Sequence, residues 1–311
     1  MKNITVSICI LTYNRANFLN TLLASLTNIR YNNLEIIVID NNSVDNTGIV
    51  VKQYQYVAYH KTSTNIGVAA RNIGIKKANG DIIITIDDDI FGVDDDKIET
   101  IINYFVSNEN LGALNFKVVD HIEGKICNWI HHCRSDEFEN KSFLTYEITE
   151  GAVAFRKKVF EKAGYYAEDF FLSHEGIDIA LRIMNSGYEV KYCGDICLVH
   201  HHAESGRKSW YRYYYDTRNQ FMVAARNFPL TYSIIYIFKG LLSTFVYSIR
   251  DRKLKYWIKG VCDGMSGLNK YLNSRNKLLD STLDIIHSID KNRPSFWYMA
   301  QKRLFRKEMR L

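Results

Sequence analysis

A chain of 311 residues that is 47% hydrophobic and 13% aromatic is too apolar to be disordered, and long enough for one large core with an appendage. The formal charge of +6 is modest and gathers late in the chain, where Lys291, Arg293, Lys302, Arg303, Arg306, Lys307 and Arg310 face only Glu308 among carboxylates; no nucleic-acid motif accompanies that tail, so a membrane surface fits better than nucleic acid. Six cysteines, one of them (Cys9) inside an apolar strand, give no disulfide framework and point to reduced thiols in a cytosol, while zinc readings of Cys193 and Cys197 with the histidines at 200–202, or of Cys127, His131, His132 and Cys133, lack paired C-x-x-C spacing.

Residues 4–11 read as a first strand, and Phe18, Leu19, Leu22, Leu23 and Leu26 follow at helical spacing. The apolar run at the start is short and broken by polar residues, which predicts no signal peptide. Residues 34–39 form a second apolar strand, ending in Asp40-Asn41-Asn42-Ser43, whose short polar side chains suit a turn. A helix from about Asp45 leads to a short strand over 56–59. Asn65-Ile66-Gly67 then opens a helix over 68–78, with Gly80 as its stop. Strands alternating with helices of this length predict a doubly wound α/β sheet, parallel, with right-handed crossovers. With no G-x-G-x-x-G and no Walker loop, dinucleotide and P-loop readings lose their support.

Residues 81–89 read D-I-I-I-T-I-D-D-D. Ile82, Ile83, Ile84 and Ile86 make a strand buried on both faces, and Asp87, Asp88 and Asp89 stand at its carboxyl end, where α/β sheets bind ligands. Three adjacent anions need a positive partner. Alternation predicts Asp87 and Asp89 on one side and Asp88 on the other, which suits two oxygens on a hard divalent cation and a third turned to the ligand. No EF-hand register fits. Asp94, Asp95 and Asp96 instead open a helix whose apolar face is Ile98, Ile101, Ile102 and Phe105. Asp40 is placed to accept from a nucleobase or ribose, and Arg71 to meet a phosphate at the start of its helix; singly, each reads equally as a turn former and a surface arginine.

From about Gly112 the alternation breaks down. Residues 120–145 have no period and predict a variable loop over the cleft; 147–155 predict a strand and 156–163 a short helix stopped by Gly164. After His174, Ile177, Ala180, Leu181 and Met184 predict a helix with that stripe in the core, leaving Glu175, Asp178 and Arg182 on another face. Asp178 and Arg182, four apart, are placed to pair. Glu175 at the helix mouth is a cap or, opposite a metal, a general base. Residues 190–199 form a further strand running into His200, His201 and His202, one of which could complete a site begun by two aspartates.

Taken in order, Thr12-Tyr13-Asn14-Arg15, Asp40-Asn41-Asn42-Ser43, the run from Asn65 through Arg71 to Asn72, the aspartate triplet, the run from His174 to Arg182, His200, and R-N-Q-F at 218–221 resemble the family 2 glycosyltransferases over roughly residues 4–227. The resemblance implies a GT-A fold, a mostly parallel sheet flanked by helices. Residues 1–228 would be the catalytic domain, with 1–115 binding the nucleotide-sugar and 116–228 the acceptor, and 229–311 a helical, basic extension. It implies that Asp87 and Asp89, with His200, hold Mn2+ or Mg2+ on the diphosphate of a UDP- or dTDP-linked sugar. Asp88 would lie nearer the ribose or sugar, Asp40 at the base, and Thr12, Tyr13, Asn14, Arg15, Asn42, Asn65 and Arg71 around the donor. Gly151, His174 and Arg182 would fall to the acceptor, a saccharide or lipid-linked saccharide. Many relatives read E-D where this chain has Glu175-Gly176. Glycine cannot be a base, so the role passes to Glu175, with Asp178 as second candidate.

The expected reaction is inverting transfer of a hexosyl or deoxyhexosyl unit to a hydroxyl, because no second nucleophile for a retaining route is visible. A nucleotidyltransferase of the same fold would need a glycine-rich loop where residues 12–17 have none. A metal-dependent nucleotide-sugar-binding protein that lost its base at Gly176 is the non-catalytic alternative. Residues 230–249 are long enough to cross a membrane, but Lys239 at their middle, with Tyr236, Ser243 and Tyr247 along one side, predicts an amphipathic helix; Arg250, Arg252, Lys253 and Lys255 follow. Packing on the catalytic domain, homo-oligomer formation and a membrane surface are all open to it. The resemblance, to enzymes of surface polysaccharides, inclines to a cytoplasmic protein peripheral to the inner face of the membrane.

Overall fold

The computed structural model describes residues 4–127, 129–202, 208–273, 275–295 and 298. Of the basic tail, Lys302, Arg303, Arg306, Lys307 and Arg310 lie outside the described residues.

In the first part of the chain strands and helices alternate as predicted: β1 (Val6–Thr12), α1 (Ala16–Leu26), β2 (Leu34–Asp40), α2 (Thr47–Val51), β3 (Val57–Lys61), α3 (Arg71–Lys77) and β4 (Ile82–Asp87). β3, β2, β1 and β4 lie side by side and parallel. Successive residues go to opposite sides. Ile8, Ile10, Ile84 and Ile86 pack with Leu19, Leu22 and Leu23 of α1, whereas Cys9, Ile37, Ile39 and Ile83 join the core on the other face. Each such aliphatic side chain contributes roughly 1.5–3 kcal/mol, so burial on both faces fixes the register and aligns the carboxyl ends of these strands along one edge.

The rest of the sheet is built from β5 (Ile90–Phe91), α4 (Asp95–Ser107), β6 (Leu111–Asp120), α5 (Ser135–Phe138), β7 (Phe143–Leu144), β8 (Ala152–Arg156), α6 (Val159–Ala163), α7 (Glu175–Asn185) and β9 (Glu189–His200). Strand order is β3-β2-β1-β4-β8-β6-β9-β5, with β7 on β9. β8 runs antiparallel to both β4 and β6, so the sheet is mixed rather than wholly parallel. A parallel neighbour needs a crossover of a dozen or more residues, usually a helix; between β6 and β8 the described residues carry only the four-residue α5 and the two-residue β7. Asp94 caps α4 as expected, accepting from Lys97 N at 2.9 Å.

Four local expectations change. The helix predicted over 68–78 is a 3-10 turn, Gly67–Ala70, followed by α3; Gly67 has φ +65°, and a Cβ there would lie 2.0 Å from Phe171 O. β8 begins only at Ala152, because the preceding residues bond to a side chain instead of a strand: Asn115 accepts from Thr149 N at 2.8 Å and donates to Glu147 O at 3.1 Å. Residues 120–145 are scaffold as well as loop, with Trp129, His131, Phe143 and Tyr192 forming an aromatic cluster. α7 is buried nearly all round, Asp178, Ile179, Arg182 and Ile183 included, while Ile177 is half-buried.

Among the described residues five helices follow: α8 (Tyr211–Asn227), α9 (Leu230–Arg250), α10 (Leu254–Ser266), α11 (Leu268–Asn273) and α12 (Asp280–Asp290). Glycines let them approach α8: a Cβ on Gly240 would meet the Gln220 amide, and one on Gly264 the Phe221 ring. Tyr146, in the segment before β8, ties α12 to the sheet-bearing part of the chain, donating to Asp290 at 2.7 Å. α9 is long and apolar enough to cross a membrane by length and composition. One side of it packs through Tyr236, Gly240 and Tyr247; the other exposes Leu230, Ile234, Phe238, Leu242 and Ile249.

Candidate functional site

β4 ends at Asp87, so Asp88 and Asp89 sit in a turn and the predicted alternation does not hold. Arg15, just ahead of α1, joins them: its Nη1 lies 3.0 Å from Asp88 Oδ1 and 2.7 Å from Asp89 Oδ2. Thr12 Oγ1 donates to Asp88 Oδ2 at 2.7 Å. Asp87 is paired instead with Arg71, at the first turn of α3. Burial pushes the Asp88 carboxyl up to about 7; Asp89 adds to this, and Arg15 and Thr12 oppose it.

β5 pairs antiparallel with β9, opposing Ile90 to His200. This brings His200 Nε2 to 3.4 Å from Asp89 Oδ2. A carboxylate oxygen and an imidazole nitrogen this close are a ligand pair of the kind a manganese-like cation takes, although in this structure Asp89 Oδ2 also accepts from Arg15. The sequence grouped Asp87 with that pair; its carboxylate is committed to Arg71, with its side chain 31% exposed. A second grouping differs from expectation. Cys127 comes together with His200 and His202, their ligand atoms within 4.8 Å, whereas His131 bonds Thr145 and His132 bonds Glu147.

Of the expected donor-side residues, Tyr13 is exposed and Asn14 holds the neighbouring loop, accepting from Val44 N at 2.8 Å. Asn42, at φ 70°, is half-buried beside it. Asp40 departs from the base-reading role implied for it. It is fully buried, and its oxygens accept from Ser43 N at 2.6 Å and Tyr59 OH at 2.5 Å. Asn65 likewise works inward, accepting from Asn41 Nδ2 and Gly67 N, each at 3.0 Å.

The other candidate residues gather at the mouth of α7. Phe171, Ser173 and His174 all have positive φ, a strained approach of the kind found beside active sites. Asn219 of α8 holds it, donating to the carbonyls of Phe170, Leu172 and Ser173. His174 Nδ1 lies 3.4 Å from Tyr236 OH of α9, and Glu175 is buried. Asp178 is no candidate for proton transfer. It is 1% exposed and takes Arg182 Nη2 at 2.8 Å, Arg226 Nε at 3.0 Å and Asn227 Nδ2 at 2.9 Å. Arg182, expected at the acceptor, spends its other donors on Ala163 O and Tyr165 O, so both are structural.

Gly151 packs against the triplet: a Cβ there would lie 2.6 Å from Asp87 Oδ2. Its neighbour Glu150 was not among the sequence candidates. A Cβ on Gly176 would lie 2.2 Å from Glu150 Oε1, so this carboxylate rests on the first turn of α7. Arg71 and Tyr166 feel its charge. Among the described residues, Arg71 Nε and Nη1 and the Tyr166 hydroxyl are buried with no hydrogen-bond partner, and a buried unsatisfied donor costs about 1–3 kcal/mol. The sequence signal was indirect: a carboxylate absent at 176, and a glutamate before Gly151.

The chain has known relatives. The model of glycosyl transferase family 2 matches residues 7–164, just over half the chain. The dTDP-rhamnosyl transferase RfbF of Shigella flexneri is 26% identical over 291 residues, 86% of this chain and 96% of that protein. The O-antigen chain rhamnosyltransferase RfbN of Salmonella typhimurium is 24% identical over 226 residues, 67% of this chain and 70% of that one. Among solved structures, the mannosyltransferase PcManGT of Pyrobaculum calidifontis, in complex with GDP-Man and Mn2+, superposes with a TM-score of 0.53 at 18% identity, covering 97% of this chain and 79% of that one. The chain belongs to glycosyl transferase family 2 and has the GT-A fold.

Proposed function

We propose that this glycosyltransferase moves a sugar, with inversion, from a nucleoside-diphosphate sugar to a hydroxyl of a saccharide or lipid-linked saccharide during polysaccharide synthesis. The observation that carries this is the set of Asp87, Asp88 and Asp89 with Arg15, Arg71 and His200 at the carboxyl end of β4. RfbF and RfbN, both named as rhamnosyltransferases, support a deoxyhexose donor carried on dTDP, with UDP-linked sugars as the alternative.

Asp89 and His200 would hold a divalent cation, Mn2+ before Mg2+ given the imidazole, with Asp87 joining if Arg71 lets it go. Such a cation neutralises charge growing on the departing diphosphate. Arg71 has two buried guanidinium nitrogens to offer a phosphate or sugar oxygen. Thr12 and Arg15 fix Asp88 toward the ribose or sugar. The acceptor approaches from the α7 side, where a carboxylate receives its proton; Glu175 is the one the sequence brings to that mouth, and Glu150 reaches it from the loop before β8.

The exposed side of α9, followed by Arg250, Arg252, Lys253 and Lys255, fits an anionic membrane surface, where lipid-linked acceptors reside. Binding to vesicles containing phosphatidylglycerol should weaken in Phe238→Glu. Concentration-dependent self-association, lost in the same variant, would assign that face to a second copy instead.

For the catalytic reading, the full chain is incubated with dTDP-rhamnose, UDP-N-acetylglucosamine and GDP-mannose in Mn2+, and melting temperature and release of nucleoside diphosphate are followed. A ligand at 100 times its Kd adds about 2.7 kcal/mol to the folded state. One donor should stabilise and turn over, EDTA should abolish turnover, and Asp89→Asn should reduce it by roughly 100-fold or more. Failure of every nucleotide sugar to bind or react in Mn2+ and in Mg2+ would sink the proposal.

A further inference from the structure

We propose that Glu150, rather than Glu175, takes the proton from the acceptor hydroxyl, an assignment that rests on the sugar-transfer reading above. α7 opens with Glu175 followed by Gly176, and the space a side chain at 176 would fill is taken: a Cβ there would lie 2.2 Å from Glu150 Oε1 and 3.1 Å from its Cδ. The backbone leaves no alternative, since Ile148 O also stands 2.2 Å from that point. The chain has placed a carboxylate on the first turn of α7 from a neighbouring loop, and only glycine at 176 admits it.

The loop is firmly set. Thr85 Oγ1 of β4 donates to Glu150 O at 2.8 Å, and Asp87 N donates to Gly151 O at 3.3 Å. Glu150 is therefore one residue from the glycine that packs against Asp87 Oδ2, which places it between the donor-side triplet and α7. Among the groups that face it electrostatically are Arg71, from α3, and Tyr166, from the segment before α7. Both carry buried polar atoms with no hydrogen-bond partner among the described residues. The two glutamates also differ in exposure: Glu175 is 6% exposed, whereas Glu150 is half-buried. The positive end of α7 favours the ionised form of a carboxylate lying there.

In the step itself the acceptor O–H gives its proton to the Glu150 carboxylate while an oxygen lone pair forms the bond to C1 of the sugar. The bond from C1 to the diphosphate oxygen breaks, and its electron pair leaves with the nucleoside diphosphate. Glu150 then returns the proton to solvent.

The experiment compares the full-length protein with Glu150→Gln, Glu150→Asp and Glu175→Gln, using whichever of dTDP-rhamnose, UDP-N-acetylglucosamine or GDP-mannose the wild type hydrolyses in Mn2+. Water and sodium azide serve as alternative acceptors, because azide has no proton to lose. Glu150→Gln should lose about 100-fold or more of its hydrolysis, together with the acid limb of the pH profile. It should keep its melting temperature and donor KM, and form the glycosyl azide at the wild-type rate. Glu150→Asp should recover part of the hydrolysis, and Glu175→Gln should keep the acid limb. Wild-type hydrolysis in Glu150→Gln, or equal loss of water and azide products, overturns the assignment of Glu150 alone. Absence of any hydrolysis or azide product from the wild type overturns the transfer reading, and this inference with it.

Discussion

Two aspartates, Asp88 beside β4 and Asp178 in α7, are equally buried at 1% exposed, and both touch arginine, yet their carboxyl groups are shifted in opposite directions. Burial raises each. At Asp178 it is outweighed by Arg182, Arg226 and the Asn227 amide, which hold the carboxyl below the usual range. At Asp88 burial wins, because the one arginine present is shared with Asp89, and the carboxyl rises to about 7. The first cluster has two guanidinium groups on one carboxylate, the second one guanidinium between two. An excess of buried negative charge invites a further cation, and such frustration marks functional sites. A saturated cluster is mortar.

The strongest way to break this comparison is to remove each anion in turn. Asp178→Asn leaves Arg182 and Arg226 buried with no carboxylate between them and should cost about 3–5 kcal/mol in urea unfolding. The same change at Asp88 leaves Arg15 its bond to Asp89 and should cost far less, while donor turnover falls. Equal losses of stability at the two positions would show that both clusters are structural.

Asp40 provides a third case. It is fully buried with neutral donors on its oxygens, and Lys61 stands 4.0 Å away with its side chain 45% exposed. The comparison places it with the scaffold. Tyr59→Phe removes a hydrogen bond to a buried carboxylate and should cost about 1.5–3 kcal/mol, with donor KM unchanged. Lys61→Met should cost under about 1 kcal/mol, as exposed ion pairs do. A Tyr59→Phe variant of normal stability and weakened donor binding would return Asp40 to the role of base reader.

Much of this was legible in the sequence, and the parts that were not share a physical cause. Continuous apolar strands such as residues 82–86 announce burial on both faces, and so the parallel half and its carboxyl edge. The triplet could be placed at that edge, and the i, i+4 spacing of Asp178 and Arg182 foretold their pairing. Local periodicity did not show that α8 and the sheet enclose α7, which buries a pair expected on a face other than the core stripe. Tyr59 reaches Asp40 from the adjacent strand, where it is in register with Val38; nothing near Asp40 in the chain reveals that. Antiparallel β8 depends on which gap in the sheet is vacant. Glu150 has meaning only against a glycine 26 positions later, a relation that the fold creates.

The finest test of the comparison is its sign in pH. A carboxyl held below its ordinary value, like Asp178, supplies stability that is complete above about pH 4 and is lost as pH falls through its folded value. A carboxyl raised to about 7, like Asp88, does the reverse. Between about pH 4 and 7 the folded protein keeps a proton that the unfolded chain has released, so the buried carboxylate weakens the fold progressively as pH rises and in full above 7. Asn at 88 cannot ionise. Relative to wild type, Asp88→Asn should therefore gain about 2–3 kcal/mol between pH 5 and pH 8, read from urea midpoints at each pH with the slopes compared. A difference that stays flat with pH would mean that Asp88 is already compensated like Asp178, and the distinction between a saturated cluster and a frustrated one would go with it.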